Sequence, residues 1–415
     1  MDFSVLLALE RVLDTLLPAL DIVAQRVDDA LIPTWCSSRG WAEYLLGLSQ
    51  QDLERCEAEG LAVIAESLPG LPPSLRELAA RVRELSELPA LDAPSVTQNQ
   101  DFRGVSQRKQ QQLSALLGAL TPLVAQASRI VDVGAGSGHF TRLSARHFSR
   151  EALGLERNAE RVARASSREQ ADVGAPFSAQ FAVVDAFRDG LALRPSDLAI
   201  GLHACGELGD ALVRAVADSG ADVALVSCCL QKISAPERVA LSRAACGFAL
   251  HQEILGLSNL TSRAVGVETS IERTMQARQA RYALRQLLRA RGLEIAPGAE
   301  MHGINRRQAH AGLGEIAARS LSQRGLAPPS EAELWHQERE ASQHFHAVRR
   351  LSLPRNMLAR VVELSVVLDR AAHLLERGYT VHVATLFERA VTPRNISLFA
   401  SRDGARLPRV RTPTT

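Results

Sequence analysis

The run IVDVGAGSGHF at residues 130–140 constrains this chain more than any other stretch. An apolar segment of strand character passes through three alternate glycines straight into FTRLSARHF, which has helical spacing. Gly134, Gly136 and Gly138 allow the backbone to turn tightly there and to approach a ligand closely. Further short apolar runs follow at ALGLE (152–156), QFAVVDA (180–186), DLAIGLHACG (197–206) and DVALVSCC (222–229), separated by helical stretches such as GDALVRAVADSG. Strands alternating with helices predict a parallel sheet covered on both faces. Two later runs, TVHVATLFE (380–388) and ISLFASR (396–402), are joined by the short RAVTPRN and predict a closing antiparallel hairpin. The expected fold class is α/β, a doubly wound sheet with a closing hairpin, an N-terminal helical module and a helical insert.

The 415 residues exceed what one core usually organises. Residues 1–95 repeat apolar side chains at helical spacing between Pro18, Pro33 and LPGLPP, and predict a helical module. Within LPALDAPSVTQNQ (88–100) the composition is that of a linker. The sheet core is expected over 96–262, an Arg-rich helical insert over 263–378, the hairpin over 379–402 and a disordered tail over 403–415. No apolar run approaches the roughly 20 residues that span a bilayer. The N-terminus lacks the basic start and cleavage site of a signal peptide, which predicts a cytoplasmic protein. Cys36, Cys56, Cys205, Cys228, Cys229 and Cys246 contain no C-x-x-C, so a disulfide scaffold is not expected.

The spacing G-x-G-x-G after Asp132 differs from the dinucleotide pattern G-x-G-x-x-G, which disfavours NAD. Glu156 ends the next strand, where a carboxylate can accept hydrogen bonds from both hydroxyls of a ribose. Asp185 ends the third, where a carboxylate can meet an adenine amino group. Asp132, Gly134, Gly136, Gly138, Glu156 and Asp185 are therefore the expected binding set for an adenosyl cofactor, S-adenosyl-L-methionine.

Charge and lysine usage bear on the partner. Residues 1–95 hold sixteen acidic and seven basic side chains, and the remainder holds thirty acidic and forty-one basic ones. A basic body favours anionic partners, nucleic acid first; the bland alternative is that the acidic helices dock on it. Of 48 basic side chains only Lys109 and Lys232 are lysine. Where arginine serves almost everywhere, a retained lysine marks a place that needs a compact ammonium.

The stretches FRGVSQRKQQQL, DVGAGSGHF, GLHACGEL, SCCLQKIS and TPRNISLFA together resemble methyltransferase-like protein 25 and its relatives. Among these relatives are the ribosomal-RNA-adenine-dimethylase-domain-containing proteins and, more distantly, a tRNA 2′-O-methyltransferase group. The resemblance covers roughly residues 100–402 and implies a class I methyltransferase fold with S-adenosyl-L-methionine as methyl donor. Lys109, Lys232 and Glu388 occupy positions similar to those of a Lys-Asp-Lys-Glu tetrad in ribosomal-RNA 2′-O-methyltransferases. Here the fourth strand ends in His203 instead of Asp, a departure from the tetrad that makes His203 the candidate base.

The expected catalytic set is thus Lys109, His203, Lys232 and Glu388. His203, Cys205, Cys228 and Cys229 would converge if strands four and five are neighbours, yet the ligand spacing is not that of a zinc finger and no metal is expected. No N-P-P-Y or D-P-P-Y follows strand four, and aromatics are 4% of the chain, so a base-stacking platform is disfavoured. The expected acceptor is RNA or another macromolecule. The alternatives are a small-molecule or protein acceptor with the insert as lid, and a non-catalytic cofactor-binding subunit.

Overall fold

The computed structural model describes residues 4–27, 31–92, 107–170, 177–260, 271–295, 298–387, 392 and 394–411. The chain forms two compact units: residues 1–19, 82–264 and 358–415 make one, and residues 20–81 and 265–357 the other.

The first unit is an α/β structure around a mixed sheet. Its strands, in chain order, are β1 (Ala90–Leu91), β2 (Arg129–Val133), β3 (Glu151–Glu156), β4 (Ala179–Val183), β5 (Asp197–Ala204), β6 (Asp222–Ser227), β7 (Glu237–Val239), β8 (Ala249–His251), β9 (Thr380–Thr385), β10 (Ile396–Ser401) and β11 (Val410–Arg411). Nine of them run in the order β11-β1-β9-β10-β6-β5-β2-β3-β4, and β7 pairs with β8 separately. From β6 to β4 the strands are parallel. β10 is antiparallel to both β6 and β9.

Helices α1 (Val5–Leu16), α2 (Gln107–Val124), α3 (His139–Phe148), α4 (Ala159–Gln170), α5 (Glu207–Ser219) and α6 (Ala359–Leu375) belong to this unit. Leu116, Leu120 and Leu123 of α2 join Ile130, Phe140, Leu198, Ile200 and Phe399 in its core. β2 and β6 are buried on both faces almost throughout, the pattern of a covered sheet.

Two boundaries differ from the sequence expectation. α1 buries Val5, Leu9, Val12 and Leu16 on one stripe and packs on α6, so both helices belong with the sheet and not with an N-terminal module or an insert. The segment read as a disordered tail, 403–415, instead supplies β11, which pairs with β1 inside the segment read as a linker. Unsatisfied backbone groups at a sheet edge explain how such short, polar stretches become ordered.

In the second unit the acidic N-terminal helices and the basic insert lie together. Arg349 and Glu57 form a buried ion pair at 2.6 Å, and the Arg350 guanidinium donates to the Leu48 carbonyl. Glu300, fully buried, accepts from Arg281 at 2.8 Å. Residues 20–81 carry ten acidic and five basic side chains, residues 265–357 nine and fourteen, so the two charges cancel within the unit. Among the described residues no helix is long and apolar enough to cross a membrane.

Candidate active site

The chain leaves β2 at Val133 and turns through Gly134, Gly136 and Gly138 at φ +80°, +59° and +73° before α3 begins. The amides of Gly134 and Ala135 donate to the Leu155 carbonyl at 2.8 and 3.0 Å, fastening the turn to β3. At Gly138 a Cβ would lie 2.5 Å from the Phe181 ring, so this glycine serves the packing of helix on sheet. Gly136 differs. A Cβ there would meet nothing nearer than 4.0 Å, which leaves its outer side open to a ligand.

Glu156, at the end of β3, is 9% exposed. Its Oε2 accepts the Gly136 N–H and its Oε1 the Asn158 N–H, both at 3.0 Å. Each carboxylate oxygen retains a second lone pair, so the group keeps acceptor capacity for hydroxyls.

Asp132 is buried, and the Thr141 hydroxyl donates to its Oδ2 at 2.7 Å. Burial pushes its carboxyl up to about 6, against the opposing pull of Thr141 and of Lys109. Lys109 itself is exposed in the first turn of α2, close enough for its ammonium to act on Asp132 and His139. Asp185 lies two residues beyond β4, and its Oδ1 accepts from the amides of Phe187 and Arg188.

The acceptor side is expected beyond the carboxyl ends of β5 and β6. His203 lies on β5, but its side chain is outside the described residues, as is all of Glu388. Of the four expected catalytic side chains, Lys109 and Lys232 are therefore described: one beside the glycine turn, the other exposed in the loop after β6. That loop is locked to the one after β5. A Cβ on Gly206, whose φ is +51°, would lie 1.9 Å from the Lys232 carbonyl oxygen, so only glycine fits. The Glu207 N–H donates to the same carbonyl at 3.0 Å, and the Glu207 carboxylate accepts the Ser234 amide and hydroxyl.

Beneath these loops sits a buried charge network that sequence reasoning missed. Arg370 on α6 donates to Asp210 at 2.8 Å, to the Ser227 hydroxyl at 2.7 Å and to the Gly206 carbonyl at 2.7 Å. Arg238 donates to Asp210 and Asp369. Burial alone would raise the Asp210 carboxyl, but Arg370 and Arg238 outweigh it and hold it below the usual range. The available signal was the pair Asp369-Arg370 inside the apolar run VVELSVVLDRAAHLL. A charge pair in such a run needs partners inside the fold.

Cys205 and Cys228 form a disulfide, with Cα atoms 5.3 Å apart, although no disulfide scaffold was expected. β5 and β6 are parallel neighbours with Ala204 opposite Ser227, so the next residues of both strands meet.

Residues 108–236 match the family model described as methyltransferase domain. The match covers less than a third of the chain. The matched residues include the glycine turn, Glu156, Asp185 and both strand-end loops. A methyltransferase domain implies S-adenosyl-L-methionine as its cofactor, and the open face of Gly136 beside the Glu156 carboxylate fits an adenosyl group.

Among solved structures the chain is similar to the YcgJ protein of Bacillus subtilis, at 23% identity and TM-score 0.22, covering 26% of this chain and 50% of that one. It is also similar to an S-adenosylmethionine-dependent methyltransferase of Geobacter sulfurreducens in complex with S-adenosyl-L-homocysteine, at 23% identity and TM-score 0.21, covering 26% and 46%. A third is the magnesium protoporphyrin IX methyltransferase of Synechocystis with bound S-adenosyl-L-homocysteine, at 18% identity and TM-score 0.25, covering 32% and 61%. The chain spans about half the length of the solved structures it matches.

Proposed function

We propose that the protein transfers a methyl group from S-adenosyl-L-methionine to an acceptor seated over the carboxyl ends of β5 and β6, with RNA as the expected acceptor class. The observation that carries the transfer is the glycine turn closed by Glu156, with the Gly136 N–H on its carboxylate and open space outside. Glu156 would hold the ribose hydroxyls, Asp185 the adenine amino group and the glycine turn the amino-acid tail. When bound, the cofactor supplies an electrophilic methyl carbon. Everything else is alignment, since in-line displacement depends chiefly on positioning.

The RNA reading rests on Lys109 and Lys232 and on the family resemblance. The arginine excess of 265–357 lends it nothing, because acidic side chains of 20–81 cancel it within one unit. Lys232 would hold the acceptor's hydroxyl with its compact ammonium or, as the neutral amine, accept the hydroxyl proton; a guanidinium supplies neither.

Incubation with methyl-labelled cofactor and a cell extract, followed by separation of RNA, protein and small molecules, tests the acceptor. Label in RNA is expected. Label confined to small molecules or protein removes the RNA acceptor, and absence of both label and cofactor binding removes the enzyme. With the acceptor in hand, Lys232→Arg is expected to lower turnover by about 10²–10⁴-fold while leaving cofactor affinity nearly unchanged. Full activity would exclude Lys232 from the reaction.

A further inference from the structure

Six cysteines are present, and three of them converge. Cys205, Cys228 and Cys229 bring their sulfur atoms within 4.8 Å of one another, whereas Cys36 and Cys56 are buried singly and Cys246 is exposed. The convergence follows from topology, because Cys205 directly follows β5, and Cys228 and Cys229 directly follow its parallel neighbour β6.

The frame around the three is fixed on both sides. Arg370 grips the Ser227 hydroxyl and the Gly206 carbonyl, the residues immediately before Cys228 and after Cys205. Gly206 is pressed against the Lys232 carbonyl, and the Lys232 amide returns to the Cys229 carbonyl at 3.2 Å. Three thiols held by a rigid backbone at two strand ends pay little ordering entropy on binding an ion. A tetrahedral cation with metal–sulfur bonds of about 2.3 Å needs sulfur atoms roughly 3.8 Å apart, a spacing that side-chain rotation within this cluster supplies.

The chemistry of the set selects the ion. Thiolates are soft donors that favour Zn(II) and its analogues over Mg(II) or Ca(II). Cys205 and Cys229 are half-buried, which leaves a path for entry, while Cys228 forms the buried floor.

We infer that Cys205, Cys228 and Cys229, when reduced, form a trithiolate site for one soft divalent cation, with the fourth position open to water. The Cys205–Cys228 disulfide is the closed form of the same site. Opening it breaks the S–S bond and yields two thiols, while a dithiol reductant loses two hydrogens and becomes its own disulfide. Cation binding then displaces three protons, one from each thiol. Three protein ligands and one free position is the arrangement of a reactive metal site, not of a closed structural one. Its place between β5 and β6 puts the open position on the acceptor side of the sheet.

The test uses the full chain, reduced with dithiothreitol, desalted without oxygen and titrated with Co(II). A thiolate-to-cobalt charge-transfer band is expected, with tetrahedral d–d bands, saturating at one ion per chain and displaced by Zn(II). The unreduced protein should show no band. Cys229→Ser should lose the charge-transfer intensity or weaken binding at least about 100-fold, and Cys246→Ser should match the parent. In the parent protein, Zn(II) should slow alkylation of Cys205, Cys228 and Cys229 but not of Cys246, a reading that needs no variant. A reduced parent without the band overturns the site, as does a Cys229→Ser protein with unchanged affinity and intensity. Calorimetry with S-adenosyl-L-homocysteine on the same samples reads the cofactor site separately, so failure of one does not imply failure of the other.

Discussion

The carboxyl edge of the sheet has two halves built on different principles. Around β2 and β3 the site is made of backbone: glycines in left-handed conformations, amides on the Leu155 carbonyl, and the Glu156 carboxylate receiving two N–H groups. Around β5 and β6 it is made of buried charge and sulfur: Arg370 on Asp210, Ser227 and Gly206, with three cysteines above. The first half is assembled from residues within about one βα unit of each other. The second depends on an arginine that lies 160 residues from Asp210 in the chain. A local site forms wherever its segment folds. A site held from afar forms only when the helix after the insert has docked.

Removing the distant support separates the two halves most strongly. Arg370→Leu leaves the Asp210 carboxylate buried with one guanidinium fewer and removes one of two donors to the Gly206 carbonyl, leaving the Gly209 N–H. Breaking a buried ion pair from one side typically costs about 3–5 kcal/mol. Chemical denaturation should show that loss. Affinity for S-adenosyl-L-homocysteine, measured where the variant is still folded, should fall by less than about tenfold. An equal collapse of cofactor affinity would mean that the two halves are one cooperative site.

A smaller effect lies within the local half, at Asp132. Its carboxyl is pushed up to about 6 by burial, from an ordinary value of 3.8. Between those values the folded protein holds a proton that the unfolded chain has already released. Stability attributable to this group therefore falls as pH rises from about 4 to about 6, and the penalty is complete above that. It amounts to ~3 kcal/mol at neutral pH. Asp132→Asn keeps an acceptor for the Thr141 hydroxyl and removes the titration. The stability difference between variant and parent should grow in the variant's favour across that window and then level off. A difference that is flat with pH would show that Asp132 ionises normally despite its burial.

The same contrast explains what was legible in the sequence. The glycine turn, Glu156 and Asp185 are contiguous with strands that declare themselves by apolar runs, and the hairpin of β9 and β10 follows from two such runs. The order of α6 with the sheet was not legible, because its pattern of Val, Leu and Ala is equally that of an insert helix. β1 and β11 are two-residue strands whose pairing is set by an available sheet edge and leaves no periodicity. The charge asymmetry was visible, and docking of the acidic helices on the basic body was one of the readings it left open; choosing between them needed residues 20–81 to lie with 265–357. The pairing of Cys205 with Cys228 needed the register of β5 on β6, which a list of spacings does not contain.

The smallest expected effect tests the local half most directly. Glu156 makes two backbone hydrogen bonds, to Gly136 and Asn158, and would make one or two more to a ribose. Glu156→Ala deletes all of them, so it loosens the turn and the ligand together. Hydrogen bonds to a charged group contribute about 1.5–3 kcal/mol each in net terms, and the freed amides recover part of this from water. Affinity for S-adenosyl-L-homocysteine should therefore fall by about 1–3 kcal/mol, read by calorimetry. Glu156→Gln separates the two roles. An amide oxygen can still accept one backbone N–H, but the side chain has lost its charge and one acceptor oxygen. Its affinity should lie between those of the parent and the alanine variant, with stability close to the parent's. If Glu156→Gln binds as weakly as Glu156→Ala at unchanged stability, the carboxylate's charge on the ligand is what matters. If both bind like the parent, Glu156 only braces the turn, and the adenosyl group is held by backbone alone.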